Sequence, residues 1–479
     1  MSLIQKLYCT ILNPCYAVIN KIPEKTRTQI NFVCVLLVVL LAYYGEAKDY
    51  MKGPPITTLC ILQSILLMII TLMSMNGPLR LMKWSKLIPW SWFLFSIIVI
   101  LTGFDHVIGP GFRPMAIVML LFYPLLFFVW SNRGDYQMLF DMVAKSTVIV
   151  GLAFFVACMF YNPLTEEVLR YTGFTGNPGS LGKIGVAVLT CGLYLVMTMR
   201  RNYWLYALFS GLACTLIILS LSRTALLAMC ALLLFLLLFC IKEFLDHREI
   251  RKKLLVRILA IVLMLVIAYP TTNFLLENGY AILQETYHVS KENKNGAPGA
   301  SNSTDVNNQQ TEAATDTIAE RQKTQDVPEG ADKEELTKER VSLEGKDLNS
   351  FSTGRLAIYK ARIALLNWKG NDATDSIYAE GYGRNRWSHN TVLEFAYRSG
   401  IIAGGLFFLI ELLSAIYVFR KLFSREKVLI YQYFVFFAII GFGIMSLTDV
   451  IFTPAADPGV LYYFLAMMPL FCRKSKKKE

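Results

Sequence analysis

The chain has few charged residues, few histidines and no short motif of the common soluble enzymes. Only 17% of its 479 residues are charged, whereas 55% are hydrophobic, and its mean hydropathy is +0.45. This composition excludes an ordinary soluble globular protein. The chain has no P-loop, DxD, HExxH or GxSxG sequence, and its four histidines are scattered. Its ten cysteines include no CxxC pair, so we expect no metal, no disulfide framework and no other cofactor.

The hydrophobic residues are grouped in long stretches, which predict an all-α fold, a polytopic membrane helix bundle. The hydrocarbon core of a bilayer is about 30 Å thick and needs about 20 apolar residues per helix. About twelve transmembrane helices are predicted, at residues 30–45, 56–75, 88–104, 114–131, 145–162, 184–199, 203–221, 224–241, 255–276, 400–419, 428–448 and 458–472.

These predicted spans divide the chain into five regions. The regions are a cytoplasmic N-terminal tail (1–29), nine transmembrane helices (30–276), one large extracytoplasmic loop (277–399), three transmembrane helices (400–472) and a basic cytoplasmic tail (473–479). The first span is expected to remain as a membrane anchor, because the N-terminus does not have the pattern of a short cleavable signal.

The distribution of basic residues predicts which side of the membrane each loop faces. With the N-terminus placed inside, the inside segments hold 26 Lys and Arg residues and the short outside loops hold six. The loop 277–399 holds another fifteen. This is the positive-inside asymmetry of a membrane protein. The net charge of +12 therefore indicates membrane topology, and we expect no nucleic acid as a partner.

The large loop is predicted to have a flexible part and a helical part. Residues 290–350 are poor in apolar side chains, and such a composition predicts disorder. Residues 352–398 are predicted to be helical. Ser352 can cap an amphipathic helix suited to a membrane surface, and a flexible Gly381-Tyr382-Gly383 turn follows. A second helix is expected from about Ser388 to Arg398, with Glu394 and Arg398 paired at i,i+4.

Two arginines and one histidine are candidate site residues on the predicted outer side. Arg223 is the only charged residue between Tyr203 and Ile241, and a charge in such a stretch is costly unless it faces a polar cavity or an interface. Taken singly, Arg223 could mark a turn and reach the headgroups, Arg355 could be a solvated charge, and His389 could be structural. Together they suit an anionic lipid headgroup such as a diphosphate, because arginine binds phosphate with a fixed, permanently charged fork. Histidine titrates near neutral pH and can act as a base.

At these residues the chain resembles the O-antigen ligase and O-antigen polymerase superfamily of bacterial membrane glycosyltransferases. The resemblance rests on three short motifs in order, within about residues 203–415. They are Ser220-Leu-Ser-Arg-Thr-Ala225, Ser352-Thr-Gly-Arg-Leu356, and Gly381-Tyr-Gly383 leading into His389-Asn-Thr-Val-Leu-Glu394 and Arg398-Ser-Gly-Ile-Ile402.

The resemblance implies a metal-independent, inverting glycosyltransferase of the bacterial cytoplasmic (inner) membrane. Such an enzyme would transfer a glycan from undecaprenyl diphosphate to an acceptor hydroxyl, at an active site facing the periplasm or cell exterior. Arg223 and Arg355 would bind the diphosphate and stabilise its departure, and His389 would orient or deprotonate the acceptor. Arg362 and Asn390 are further substrate-binding candidates, and so is Lys183, which we expect on an outer loop.

The sequence leaves the acceptor and one competing class open. A ligase would use lipid A-core or another hydroxyl and would serve lipopolysaccharide or other cell-surface polysaccharide assembly. A polymerase would join one lipid-linked repeat to another. A transporter or flippase of twelve spans is the competing class, although the sequence has no obvious internal repeat. A nonenzymatic membrane scaffold would leave the two arginines and the histidine unexplained.

Overall fold

The computed structural model describes most of the chain. The described residues are 2–51, 56–102, 112–162, 164, 169–199, 201–246, 251–295, 354–372, 377–379, 383–385, 387–424, 426–451 and 457–472. Residues 296–350 of the predicted flexible segment, the expected helix cap Ser352, residues 381 and 382 of the expected turn, and the C-terminal tail lie outside this set.

The described residues form fifteen α-helices, one 3₁₀ turn at Gly173–Thr175 and one short hairpin. The helices are α1 (Ser2–Ile19), α2 (Glu24–Met51), α3 (Ile56–Met73), α4 (Leu87–Thr102), α5 (Phe112–Arg133), α6 (Tyr136–Tyr161), α7 (Pro178–Thr198), α8 (Tyr203–Ser220), α9 (Arg223–Asp246), α10 (Arg251–Asn295), α11 (Arg355–Ala364), α12 (Thr391–Ser399), α13 (Ile401–Leu422), α14 (Ile430–Thr448) and α15 (Pro458–Phe471). The strands are β1 (Ile377–Ala379) and β2 (Gly383–Asn385).

The length and composition of these helices are those of a multi-pass membrane protein. In the part of the chain that the structure describes, nine helices are long and apolar enough to cross a bilayer: α2, α5, α6, α7, α8, α9, α10, α13 and α14. Three shorter apolar helices, α3, α4 and α15, accompany them. The expected helical membrane bundle is confirmed. The total of twelve spans stays a prediction, because it requires the three shorter helices to cross as well.

Helix α7 lies at the centre of the bundle, in contact with α6, α8, α9 and α14. Two glycines allow the close approach of its neighbours. A Cβ atom at Gly182 would lie 2.6 Å from the Cβ of Ala225 in α9, and one at Gly185 would lie 2.6 Å from Ile217 in α8. Small residues at helix contacts are typical of membrane bundles. This packing brings the first turns of α7 and α9 together, and the candidate site lies beside them.

Two predicted boundaries in the membrane part differ from the structure. The expected N-terminal tail is mostly helical, because Leu12 and Ile19 of α1 bury themselves against Leu79 and Phe128 at one end of the bundle. Helix α10 continues to Asn295, so it reaches past residue 290, where the flexible segment was expected to begin. Its membrane-spanning part is Arg251–Asn278, which ends close to the predicted residue 276.

The loop contains the two expected helices with different ends and one unexpected element. Helix α11 begins at Arg355 after Gly354, which has a left-handed φ of +77°, a conformation that glycine adopts readily. In place of a purely flexible turn, β1 and β2 form an antiparallel hairpin in which Ile377 pairs with Asn385. The two strands have only three residues each, so the described residues still form the expected all-α fold. The predicted i,i+4 pair of Glu394 and Arg398 in α12 is confirmed, and both side chains are buried.

Candidate functional site

The candidate side chains converge on the C-terminal end of α14, at residues 447–450. The carbonyl groups of these four consecutive residues accept hydrogen bonds from four side chains. Asn390 Nδ2 donates to Leu447 at 2.9 Å, Arg355 Nη1 to Thr448, Thr391 Oγ1 to Asp449 at 2.8 Å, and Lys183 Nζ to Val450 at 3.4 Å. The last carbonyls of a helix lack intrahelical partners and form the negative end of its dipole. The end of α14 therefore attracts cationic side chains and hydrogen-bond donors.

Arg223 and Arg355 lie next to each other at this end of the bundle. Arg355 Nη1 donates to Thr224 Oγ1 at 3.1 Å, and Thr224 directly follows Arg223. The two guanidinium groups are close enough for their charges to repel, and both residues are half-buried. Two adjacent, partly accessible guanidinium groups have the charge and the hydrogen-bond donors that binding of a multiply charged anion requires.

The turn between α8 and α9 explains why Arg223 can reach this position. Leu221 has a left-handed φ of +45°, so the chain reverses within two residues and α9 starts at Arg223. The backbone N–H groups in the first turn of a helix lack intrahelical partners and favour a negative charge nearby. The start of α9 thus adds main-chain donors to the two guanidinium groups.

His389 is held beside Asp449, immediately before the first turn of α12. Its Nδ1 lies 3.5 Å from Asp449 Oδ1, and its side chain is 37% exposed. The backbone of His389 is left-handed at φ +50°, which is uncommon for a residue with a side chain. Tyr359 Oη donates to its carbonyl at 2.8 Å, and the Asn390 side chain caps α12 through Leu393 N. These contacts fix the direction of the imidazole.

The carboxyl group of Asp449 is ionised at neutral pH. Burial raises its pKa, but the hydrogen bond from His389 and the positive charges of Lys183 and Arg355 outweigh burial, and the pKa lies below its ordinary value. An ionised carboxylate at Nδ1 favours the histidine tautomer with a free lone pair on Nε2. In this arrangement His389 can accept a proton from a hydroxyl group that approaches Nε2.

The sequence predicted Lys183 on an outer loop, but the structure places it in the second turn of α7. Its Nζ lies 2.8 Å from Asp457 Oδ2 and 3.6 Å from Glu46 Oε1, and all three side chains are largely buried. The apolar stretch begins at residue 184, which placed the predicted helix start too late. The Asn177 side chain caps α7 and Pro178 is its first residue, a combination that starts helices.

Arg362 lies away from the two clustered arginines. Its side chain is fully buried between α11 and α12, with the guanidinium 4.0 Å from the ring centre of Tyr397. Beside it, Arg398 Nε pairs with Glu394 Oε1 at 2.9 Å in an equally buried position. A phosphate contact by Arg362 stays a prediction and requires this side chain to leave the Tyr397 ring.

Sequence reasoning did not assign Asp449 a functional part. An acid directly after the apolar stretch 428–448 was a usable signal for this residue. Tyr359, Thr224 and Thr391 also contact the site residues, and only Thr224 and Thr391 belong to motifs that the sequence singled out. Within the described ranges, no group of three or more His, Cys, Asp and Glu side chains is placed to hold a metal ion.

The chain matches no family model, no curated protein and no solved structure. The resemblance of its motifs to the O-antigen ligase and polymerase superfamily therefore rests on the residues quoted above. The function is therefore inferred from the chemistry of the side chains at the end of α14.

Proposed function

We propose that this protein is a metal-independent, inverting glycosyltransferase of the bacterial cytoplasmic membrane. It transfers a glycan from undecaprenyl diphosphate to an acceptor hydroxyl during the assembly of cell-surface polysaccharide. One observation carries the proposal. Arg223, Arg355 and His389 are far apart in the sequence, yet all three lie at or beside the C-terminal end of α14. These are the residues to which the motif resemblance gives catalytic roles.

The two arginines suit the donor side of this reaction. As the bond between the sugar C1 and the diphosphate oxygen breaks, its electron pair leaves with the diphosphate and negative charge develops there. Arg223, Arg355 and the N–H groups at the start of α9 are fixed donors for that charge. Arg223 begins the apolar helix α9, and Arg355 contacts the end of the apolar helix α14. This position matches a donor whose headgroup lies at a membrane surface.

His389 and Asp449 suit the acceptor side. The acceptor oxygen attacks C1 from the side opposite the diphosphate, and its proton passes to His389 Nε2. The ionised Asp449 carboxylate stabilises the resulting imidazolium. A single displacement of this kind inverts the configuration at C1. In this mechanism Asn390, which caps α12, holds the neighbouring His389 in place. Arg362 stays between the loop helices α11 and α12.

The proposed topology counts α3, α4 and α15 as spans, which gives twelve transmembrane helices. The loop 277–399 then faces the periplasm or cell exterior, where no nucleotide is needed because the lipid diphosphate is the leaving group. We favour a ligase, with lipid A-core or another hydroxyl as acceptor. A polymerase that joins lipid-linked repeats is the alternative within the same chemistry.

The proposal is tested by glycan transfer in proteoliposomes supplied with an undecaprenyl diphosphate-linked repeat. Arg223→Ala, Arg355→Ala and His389→Ala should each reduce transfer by on the order of a hundredfold or more, the usual size of such losses. Lys360→Ala is the matched control, because Lys360 is an exposed basic residue of α11; it should leave transfer unchanged.

The products distinguish a ligase from a polymerase, a choice that the sequence left open. A single product that requires an added acceptor indicates a ligase, and a ladder without one indicates a polymerase. The proposal is wrong if the wild-type protein releases no lipid diphosphate but moves the lipid-linked glycan between leaflets. It is also wrong if all three alanine variants insert normally and retain full transfer.

A further inference from the structure

A buried ionic cluster joins three membrane helices next to the candidate site. The ammonium group of Lys183 in α7 lies between the carboxyl groups of Asp457, which caps α15, and Glu46, near the end of α2. The exposed fractions of the Lys183, Asp457 and Glu46 side chains are 13%, 1% and 5%. Burying charged groups is costly even when they are paired. A hydrophobic cluster of the same size would also hold the helices together. Helix packing alone therefore does not explain why charged residues occupy this position.

Lys183 makes two hydrogen bonds and one longer ion pair inside the protein. An ammonium group has three N–H donors. Three acceptors surround it: Asp457 Oδ2 at 2.8 Å, the Val450 carbonyl at 3.4 Å and Glu46 Oε1 at 3.6 Å. This geometry does not favour a direct contact between Lys183 and a diphosphate, which would have to displace one of these partners.

The contact with Val450 links the ionic cluster to the candidate catalytic pair. Val450 follows Asp449, whose carboxylate faces His389. On the opposite side, Thr391 Oγ1 donates to the Asp449 carbonyl at 2.8 Å and accepts from Ile451 N at 3.2 Å. Residues 449–451 are therefore held between α7 from the membrane side and α12 from the loop side.

We propose that Lys183 is a positioning residue, which fixes residues 449–451 so that the Asp449 carboxylate stays against His389. The ionic cluster anchors the ammonium group through α2 and α15, and the ammonium group anchors the Val450 carbonyl. Lys183 also contributes positive charge that favours the ionised form of Asp449. The inference rests on the proposed function and gives Lys183 a part in turnover rather than in donor binding.

The test is a double-mutant cycle between Lys183→Met and Asp449→Asn in the proteoliposome transfer assay. Lys183→Met should lower kcat about ten- to a hundredfold, because a displacement near 1 Å at a catalytic group has effects of this order. The KM for the lipid-linked donor should change less than about twofold. Once Asp449→Asn is present, Lys183→Met should cause little further loss, because both changes remove the same support.

The opposite pattern would overturn the inference. A phosphate-binding Lys183 predicts a higher donor KM, an unchanged kcat at saturating donor, and losses that multiply in the double variant. Full activity of Lys183→Met in an active enzyme also overturns it. A wild-type protein without transfer would instead defeat the proposed function itself. If Lys183→Met does not insert, the double variant Lys183→Met, Glu46→Gln replaces it, because it keeps the net charge of the cluster. The effects on kcat and on the donor KM are then measured with that variant.

Discussion

At the scale of single residues, the site is organised by unsatisfied main-chain groups. Four carbonyls at the end of α14 and just after it, at residues 447–450, accept hydrogen bonds from Asn390, Arg355, Thr391 and Lys183. The isolated charge of Arg223 and the motif around His389 could be recognised in the sequence. The pairing of His389 with Asp449 could not, because it joins residues about sixty positions apart through packing of α12 on α14.

The lowered pKa of Asp449 predicts how stability depends on pH. Because its pKa is lower in the folded than in the unfolded chain, its stabilising contribution is complete above the unfolded pKa of about 3.9. The contribution is lost as the pH falls through the folded pKa. We expect the difference in melting temperature between the wild type and Asp449→Asn to shrink as the pH falls below about pH 4.

This dependence is measured by thermal unfolding in detergent micelles across the pH series. Lys360→Ala, on the exposed side of α11, controls for general effects of a substitution in the loop. A difference that persists unchanged to about pH 3 would contradict the assignment of an ionised, stabilised carboxylate.

At the scale of helices and strands, the sequence predicted which apolar stretches form long helices. It did not predict where the helices and strands begin and end. Each long span coincides with one long, predominantly apolar stretch of the sequence, so its existence follows from local composition. The start of α7 depends on a cap, and the β1–β2 hairpin depends on pairing and packing that local composition does not reveal. Lys183 was assigned to a loop for this reason, although the Asn177-Pro178 pair marks the helix start.

The close contact between α7 and α9 leads to a prediction at the same scale. Gly182→Ala would place a Cβ atom 2.6 Å from Ala225, so the first turn of α9 must move away from α7. We expect a destabilisation of about 1–3 kcal/mol, typical of overpacking, and a lower affinity for the donor because Arg223 moves with that turn.

The measurement pairs the unfolding of Gly182→Ala with its donor KM. Gly405→Ala is the matched control, since a Cβ atom at this helical glycine in α13 meets nothing within 4 Å. That variant should be as stable as the wild type or slightly more stable. A Gly182→Ala protein with unchanged stability and unchanged KM would show that the α7–α9 contact does not set the position of Arg223.

At the scale of the whole molecule, the site residues lie at one end of the helix bundle. The starts of α7, α9 and α15 meet the ends of α2 and α14 there. Basic residues occur toward the opposite ends of two spans: Lys242 lies near the end of α9, and Arg420 and Lys421 lie in the last turn of α13. With the positive-inside rule, this distribution supports an extracytoplasmic site, where a lipid-linked sugar carries its own leaving group.

The central claim is that this site carries out a single displacement on a lipid-linked sugar without a metal. The most direct test is the configuration at the transferred C1, determined by NMR of the product made in proteoliposomes with a chelator present. The account predicts an inverted configuration and one undecaprenyl diphosphate released for each glycosidic bond formed. Retention of configuration, or transfer that stops with the chelator and returns with added metal, would contradict it.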